Sequence, residues 1–249
     1  MYRRPYRFVV APLLPIAKRG LLAAWWLLAI PTSLWAASFS VSPIRVPLPP
    51  QSHVAAVTVT NSQATPLVLR LSAMHWSQSD DGEDDYASTN DLVIGPWLLK
   101  IEPGTPRLIR FGVPAPAGDT EATYRLFLEE QAPTSSEAAA QLNVVMRFGL
   151  PVFVAPAVER VSARVEVVTR DGDALAVRVR NTGNVHVIVD SVSVDSTKPQ
   201  RSEHAYLLAH AARTYHVPLA PCTAEMLQVT VQMDRLTFAE RVPAAGLCR

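Results

Sequence analysis

The chain has 249 residues, with 23 Lys and Arg against 22 Asp and Glu for a formal charge of +1, and 49% of its residues are hydrophobic. That length holds one large domain or two small ones, each with its own core. The near-even balance excludes the strongly basic surface of a nucleic-acid-binding protein. The 21 prolines against 10 glycines, with no long helical period, point to an all-β protein.

The first segment carries Arg3, Arg4, Arg7, Lys18 and Arg19 without an acid, and an apolar stretch interrupted by Pro31 follows it. Basic, then apolar, then small residues is the order of a secretory signal peptide, expected over 1–36 with cleavage after Ala36 or Ala37. The competing reading is an uncleaved anchor, for which the apolar stretch is short. The leader holds five of the 23 basic residues, so 18 remain against 22 acids and the exported part is mildly acidic, at a formal −4. Export into an oxidising compartment makes Cys222 and Cys248, the two cysteines, an expected disulfide. No CxxC or paired-histidine spacing favours a metal site.

From Phe39 onward the chain reads as short alternating runs. "VAAVTVTN" sets Val57 and Val59 against Thr58 and Thr60, and "PLVLRLSAMHW" places Leu67, Leu69 and Leu71 on one face. Period two predicts half-buried strands. "SDDGEDD" (Ser79 to Asp85) is expected to be a solvated hairpin tip, and "EPGT" is a second turn before the strands "PRLIRFGV" and "TYRLFLEE". "QAPTSSEAAA" reads as a loop of small and polar residues leading into "QLNVVMRFGLPVFVAP" (Gln141 to Pro156).

Beyond Pro156 the pattern restarts, with turns at Asp171 and Gly172 and again at Asn181 to Gly183, where hairpins want them. "RTYHVPL", "EMLQVTVQMD" and "LTFAERVP" continue to Cys248. The turn spacing predicts two β-sandwiches, over 38–156 and 158–249, with no visible internal repeat.

Signs of catalysis are missing. There is no GxSxG elbow for a serine nucleophile and no glycine-rich phosphate loop opening a helix. "DDGEDD" lacks the closing glutamate of a calcium loop. The six histidines are scattered, with no HxH or HExxH spacing, and read as ordinary surface or strand residues. No enzyme, cofactor, metal or small-molecule substrate is expected.

The run from Gln141 to Pro156 is nearly free of charge, so it is either a core strand or an edge waiting for a partner. Leu142, Val144 and Met146 alternate with Asn143, Val145 and Arg147, giving one apolar face and one mixed face. Periodicity alone favours burial of that apolar face in the chain's own core.

A series of segments in order, "SFSVSPIRVPL", "VTVTN", "MHW", "LLKIEPGTPRLIRF", "YRLFLEE", the small-residue loop and a strand ending "FVAP", resembles the periplasmic pilus-assembly chaperones. The second half fits through "VRVRNTGNVHVIV". The resemblance implies two immunoglobulin-like β-sandwich domains in an L-shaped arrangement and a periplasmic location. It implies, as partners, pilus or fimbrial subunits that lack a strand, and an outer-membrane usher to which they are delivered. The resemblance further implies that such a subunit exposes core and unpaired backbone edges, and that the chaperone lends it a strand. Under the resemblance Leu142, Val144 and Met146 enter the subunit's groove, and Arg45 in "SPIRVPL" anchors the subunit's C-terminal carboxylate. The family's second basic anchor falls on Pro151, and Arg147, of the same strand parity, is the nearest basic residue to take its place. "RFGLPVFV" resembles the branch serving archaic or alternative pili. The rival readings are a pilus subunit or adhesin, which would be a single domain with its own donor segment, and a secreted carbohydrate-binding β-sandwich.

Overall fold

The computed structural model describes residues 39–113, 118–132, 144–195, 198–218 and 224–248. The signal peptide expected over 1–36, Leu142 and Cys222 lie outside them. The described residues contain strands and no helix. Ten strands form the first half: β1 (Phe39–Ser42), β2 (Val46–Leu48), β3 (Val54–Asn61), β4 (Leu67–Gln78), β5 (Asp84–Ser88), β6 (Val93–Gly95), β7 (Leu98–Ile101), β8 (Pro106–Gly112), β9 (Ala122–Glu130) and β10 (Arg147–Val154). Seven form the second: β11 (Ala163–Asp171), β12 (Ala174–Asn181), β13 (Val187–Val194), β14 (Gln200–Leu207), β15 (Ala212–Pro218), β16 (Met226–Met233) and β17 (Thr237–Pro243).

Each half is a sandwich. In the first, the sheet β1-β3-β8-β6 faces the sheet β2-β10-β9-β4-β5, with β7 also paired to β4. In the second, β11-β12-β15 faces β14-β13-β16-β17. The alternation read from the sequence sets the two cores: Val57, Val59, Leu67, Leu69 and Leu71 point into the first, and Val177, Val179, Val229 and Val231 into the second. Trp76 and Phe153, from the first half, join the second core cluster and tie the sandwiches together.

The fold contains a repeat that the sequence hides. Asn61 closes β3 and Asn181 closes β12, and both are fully buried. The Asn61 amide donates to Thr65 O (2.8 Å) and Ile101 O (3.0 Å) and accepts from Gln63 N (2.8 Å). The Asn181 amide donates to Val185 O (2.8 Å) and Leu207 O (3.0 Å) and accepts from Gly183 N (2.9 Å). A buried carboxamide is tolerated only with such partners, so each corner fixes its strand exit in the same way.

The acidic turn after β4 is solvent-exposed except at Gly82, and its backbone also docks on the second sandwich. Gly82 has φ +80°, and a Cβ there would lie 2.8 Å from Ala212 O and 2.9 Å from Arg213 Cβ, so glycine is required twice over. Gly82 O accepts from Arg213, and Asp80 O from Arg178. Beside them, the Gln78 amide donates to Tyr206 O and accepts from Leu208 N, both at 2.9 Å. Arg178 and Arg180 also bind Glu166 (3.0 and 2.9 Å), and these hydrogen bonds, Arg180 first, hold its carboxyl below the usual carboxylate range.

Tyr215 sits in the second core, its hydroxyl without a hydrogen-bond partner among the described residues. Burial pushes that hydroxyl up to about 12 from an ordinary 10.0. The unfolded tyrosine ionises first as pH rises, so the stability Tyr215 contributes is complete below pH 10 and is lost between about 10 and 12. Tyr215→Phe is expected to match or exceed the parent's stability at pH 7, since it removes an unsatisfied buried hydroxyl. At pH 11 its advantage in urea melts should widen by about 1.4 kcal/mol; an unchanged gap would contradict the burial.

Candidate functional site

β10 carries the residues that the sequence singled out. Its even-numbered side chains, Leu150, Val152 and Val154, are buried in the first core, with Met146 and Phe148 packed partly against it. Its odd-numbered side chains, Arg147, Gly149, Pro151 and Phe153, therefore face the other way. β9 pairs with β10 along its whole length, from Arg147↔Glu129 to Val154↔Ala122. β2 pairs in parallel with Val152 to Val154 alone.

Two hydrogen bonds set the backbone parity. Glu130 N donates to Met146 O (2.9 Å), which turns even-numbered backbone groups towards β9, and Ala155 N donates to Leu48 O (2.9 Å), which turns odd-numbered ones towards β2. Before Val152 no described strand lies on the β2 side. The backbone groups of Val145, Arg147 and Gly149, and the carbonyl of Pro151, therefore line an open edge. Pro151 breaks no ladder bond, because its missing N–H falls on that edge. From Leu150 to Val154 the even-numbered side chains are core, and before Val152 the outer backbone has no described strand beside it.

The predicted donor side chains part company. Val144 is 82% exposed and precedes β10, Met146 packs partly buried on the first core, and Leu142 lies outside the described residues. A Cβ at Gly149 would sit 3.1 Å from the Phe127 ring, a tight contact that the ring would have to relieve.

Arg45 lies in the bend between β1 and β2, where the chain crosses from one sheet to the other. That crossing presents its exposed side chain beside the second sandwich, 5.4 Å from the Tyr206 ring centroid. No carboxylate among the described residues pairs with it. Arg147 is elsewhere. It pairs with Glu129 at 2.8 Å and lies 4.0 Å over the Phe127 ring. Arg45 adjoins Val46, whose register partner is Val152, five residues along β10 from Arg147, a separation of roughly 16 Å. The two predicted anchors are not brought together.

Another arginine is. Arg125 on β9 is the register partner of Pro151. Its guanidinium stacks 3.8 Å over Trp76 and lies 5.8 Å from the Tyr206 ring centroid, so Arg45 and Arg125 flank one tyrosine. Arg125 has one distant ion pair, with Asp84 at 3.8 Å. Burial pushes the nearby Tyr86 hydroxyl up, and Arg125 pulls against it. The sequence carried a faint signal for Arg125: a basic residue in a strand whose neighbours are apolar.

Aromatic rings build the floor. Trp76 meets Tyr206 edge-on at 5.5 Å, and Phe153 stacks on His186 at 3.6 Å and 17°. Glu121 accepts from His186 N (2.9 Å) and pairs with His186 Nδ1 (2.8 Å), fixing the ring. His186 is therefore no ordinary surface histidine. Among the described residues no group of His, Cys, Asp and Glu suits a metal ion. The two guanidiniums thus lie beside one aromatic cluster, level with the point where β2 joins β10.

Residues 38–159 match the model of the pili and flagellar-assembly chaperone family, PapD N-terminal domain. Over these residues the chain carries the N-terminal domain of the PapD-like chaperones. The family's role is chaperoning, and the chain is not an enzyme. Solved PapD-like structures share the all-β fold of two immunoglobulin-like sandwiches. One is the complex of CsuC with the tip adhesion subunit CsuE from the archaic Csu pili of Acinetobacter baumannii: 16% identity, TM-score 0.61, covering 82% of this chain and 98% of that one. Others are the E. coli chaperone DraB (18%, TM-score 0.56, 82% and 98%) and the SafA pilin with the SafB chaperone from Salmonella enterica (19%, TM-score 0.57, 82% and 96%). No curated protein matches the sequence.

Within this PapD-like fold Glu121 joins the two sandwiches. Glu121→Ala leaves His186 N and Nδ1 without their acceptor, and an unsatisfied buried donor costs about 1 to 3 kcal/mol. Thermal melts should show a clear drop for Glu121→Ala and a smaller one for Glu121→Gln; equal melting points would mean that the contact holds nothing together.

Proposed function

We propose that this chain is a periplasmic chaperone that binds pilus subunits by donor-strand complementation and delivers them to an outer-membrane usher. The observation that carries the reading is the open edge from Val145 to Pro151, which ends beside two arginines flanking Tyr206. A subunit strand pairing there satisfies its own backbone and that of β10 together. Its terminal carboxylate meets Arg45 and Arg125, which provide charge-assisted hydrogen bonds worth about 1.5 to 3 kcal/mol each. Arg125 takes the role first given to Arg147, whose guanidinium is engaged by Glu129.

Leu142, Val144 and Met146 remain the donor residues of this proposal, with exposed Val144 the most direct. Burial of each large apolar side chain in a groove contributes roughly 1.5 to 3 kcal/mol. Neighbours solved with a tip adhesion subunit or a pilin support the partner class. The proposal also keeps a signal peptide over 1–36, sandwich domains over 38–156 and 158–249, and a Cys222–Cys248 disulfide. It keeps the archaic or alternative branch as well, on the resemblance of "RFGLPVFV".

The test is co-expression with a pilin encoded beside the chaperone. Val144→Asp should keep the parent's melting temperature while capturing little or no subunit. The Arg45→Ala, Arg125→Ala double variant, which also loses the stacking of Arg125 on Trp76, should still melt cooperatively while capturing little or none, and each arginine alone should weaken capture by roughly ten- to a hundredfold. Normal co-purification of a folded Val144→Asp protein would end the strand-lending reading. Normal capture by the double-arginine variant would end the anchor.

A further inference from the structure

The first sandwich has a second open edge, on the sheet that does not contain β10. β6 ends the order β1-β3-β8-β6 and has no described partner on its far side. Behind it, the outer face of the sheet holds a groove of about 420 Å³. Cross-strand register explains the groove. Val54, Gly112 and Val93 lie in one row over β3, β8 and β6, and Ala56, Arg110 and Gly95 in the next. Phe111 and Ile94 point inward, so these residues face out. Val54 and Val93 are each 62% exposed and form apolar walls, with the glycine between them as floor. Gly112 has no alternative, because a Cβ would lie 2.4 Å from His53 O.

The groove has one cation. Arg110 is exposed and makes no hydrogen bond or ion pair with any described residue. None of the lining residues is acidic. Gly95 lies between Arg110 and the open edge, and a Cβ at Gly95 would meet nothing within 4 Å.

We infer that β6 and this groove form a docking site for an extended segment of a partner protein that carries an apolar residue and a carboxylate two positions apart. A strand added to β6 lies about 4.8 Å away and points every second side chain to the outer face. One such side chain falls beside Val93 and packs on the apolar wall. The next, beside Gly95, crosses over the missing Cβ to Arg110. Adjacent apolar and acidic residues cannot do this, since they point to opposite faces. The site is on the opposite sheet from β10, so it binds whether or not that edge is occupied, and it does not depend on the proposed strand lending.

The test uses isotope-labelled purified protein and three acetylated peptide amides, Ser-Leu-Thr-Glu-Ser, Ser-Leu-Thr-Lys-Ser and Ser-Leu-Glu-Thr-Ser. The first should shift the amides of Val93, Ile94 and Gly95 and bind roughly two- to fivefold more tightly than the second, the span of an exposed ion pair. The third should not move those amides. Arg110→Glu should reverse the preference between the first two, and Gly95→Val, which has room for its side chain, should abolish binding while the amide spectrum elsewhere stays that of the parent. Equal binding of all three peptides, or no shift at β6, overturns the proposal. So does movement of the same amides on raising the protein concentration alone, which would make a second copy the occupant.

Discussion

One parity rule governs the first sandwich. Along β10 the even-numbered side chains and backbone groups serve the molecule itself, the former in the core and the latter on β9. The odd-numbered backbone groups face away from β9, and β2 covers them only from Val152 onward. Core packing therefore holds the strand straight while part of its outer edge stays unpaired. An isolated flexible segment would have to lose its conformational freedom on pairing; much of β10 has lost it already. Pro151 fits because of this parity. Shifted by one residue, its missing N–H would break the ladder to β9.

The anchor end of that edge belongs to several elements at once. Arg45 comes from the bend between two sheets, Arg125 from β9, Tyr206 from β14 and Trp76 from β4. Their relative positions depend on the seam between the sandwiches, which explains its density of specific contacts. The Gln78 amide pairs twice with the backbone around Tyr206, Gly82 packs on Ala212 and Arg213, and Glu121 fixes the His186 ring against Phe153. Arg45 is exposed beside Tyr206 with no carboxylate partner among the described residues, Arg125 is mostly buried on Trp76 with Asp84 3.8 Å away, and Arg147, stacked on Phe127, is held by Glu129.

Much of this was legible in the sequence. The alternation of Val57 and Val59 with threonines, and of Leu67, Leu69 and Leu71 with polar residues, predicted buried faces, because strand period translates directly into burial. The run ending at Pro156 reads from its sequence as either a core strand or an edge, because periodicity fixes which side chains alternate but not what lies beside the backbone. What could not be read depends on register between distant segments. Nothing local links Arg125 to Pro151, or Gly82 to Ala212. The corners at Asn61 and Asn181 repeat a geometry while sharing little sequence beyond the asparagine, since their other partners are backbone carbonyls that any residue supplies.

Under the proposed function, edge and anchor need each other. An open strand edge alone accepts a partner in several registers, because backbone hydrogen bonds repeat along it. A slip of one residue turns every side chain of the partner to the wrong face. The terminal α-carboxylate occurs once in a chain, so a fixed site for it selects a single register. The Arg45 and Arg125 pair is level with Pro151 and Val152, where β2 closes the edge. The partner strand therefore ends where pairing becomes impossible, and the charge interaction and the steric stop specify the same position. An anchor at Arg147 would place the terminus near the beginning of β10 and leave the open backbone beyond it unused, which is the physical reason for preferring Arg125.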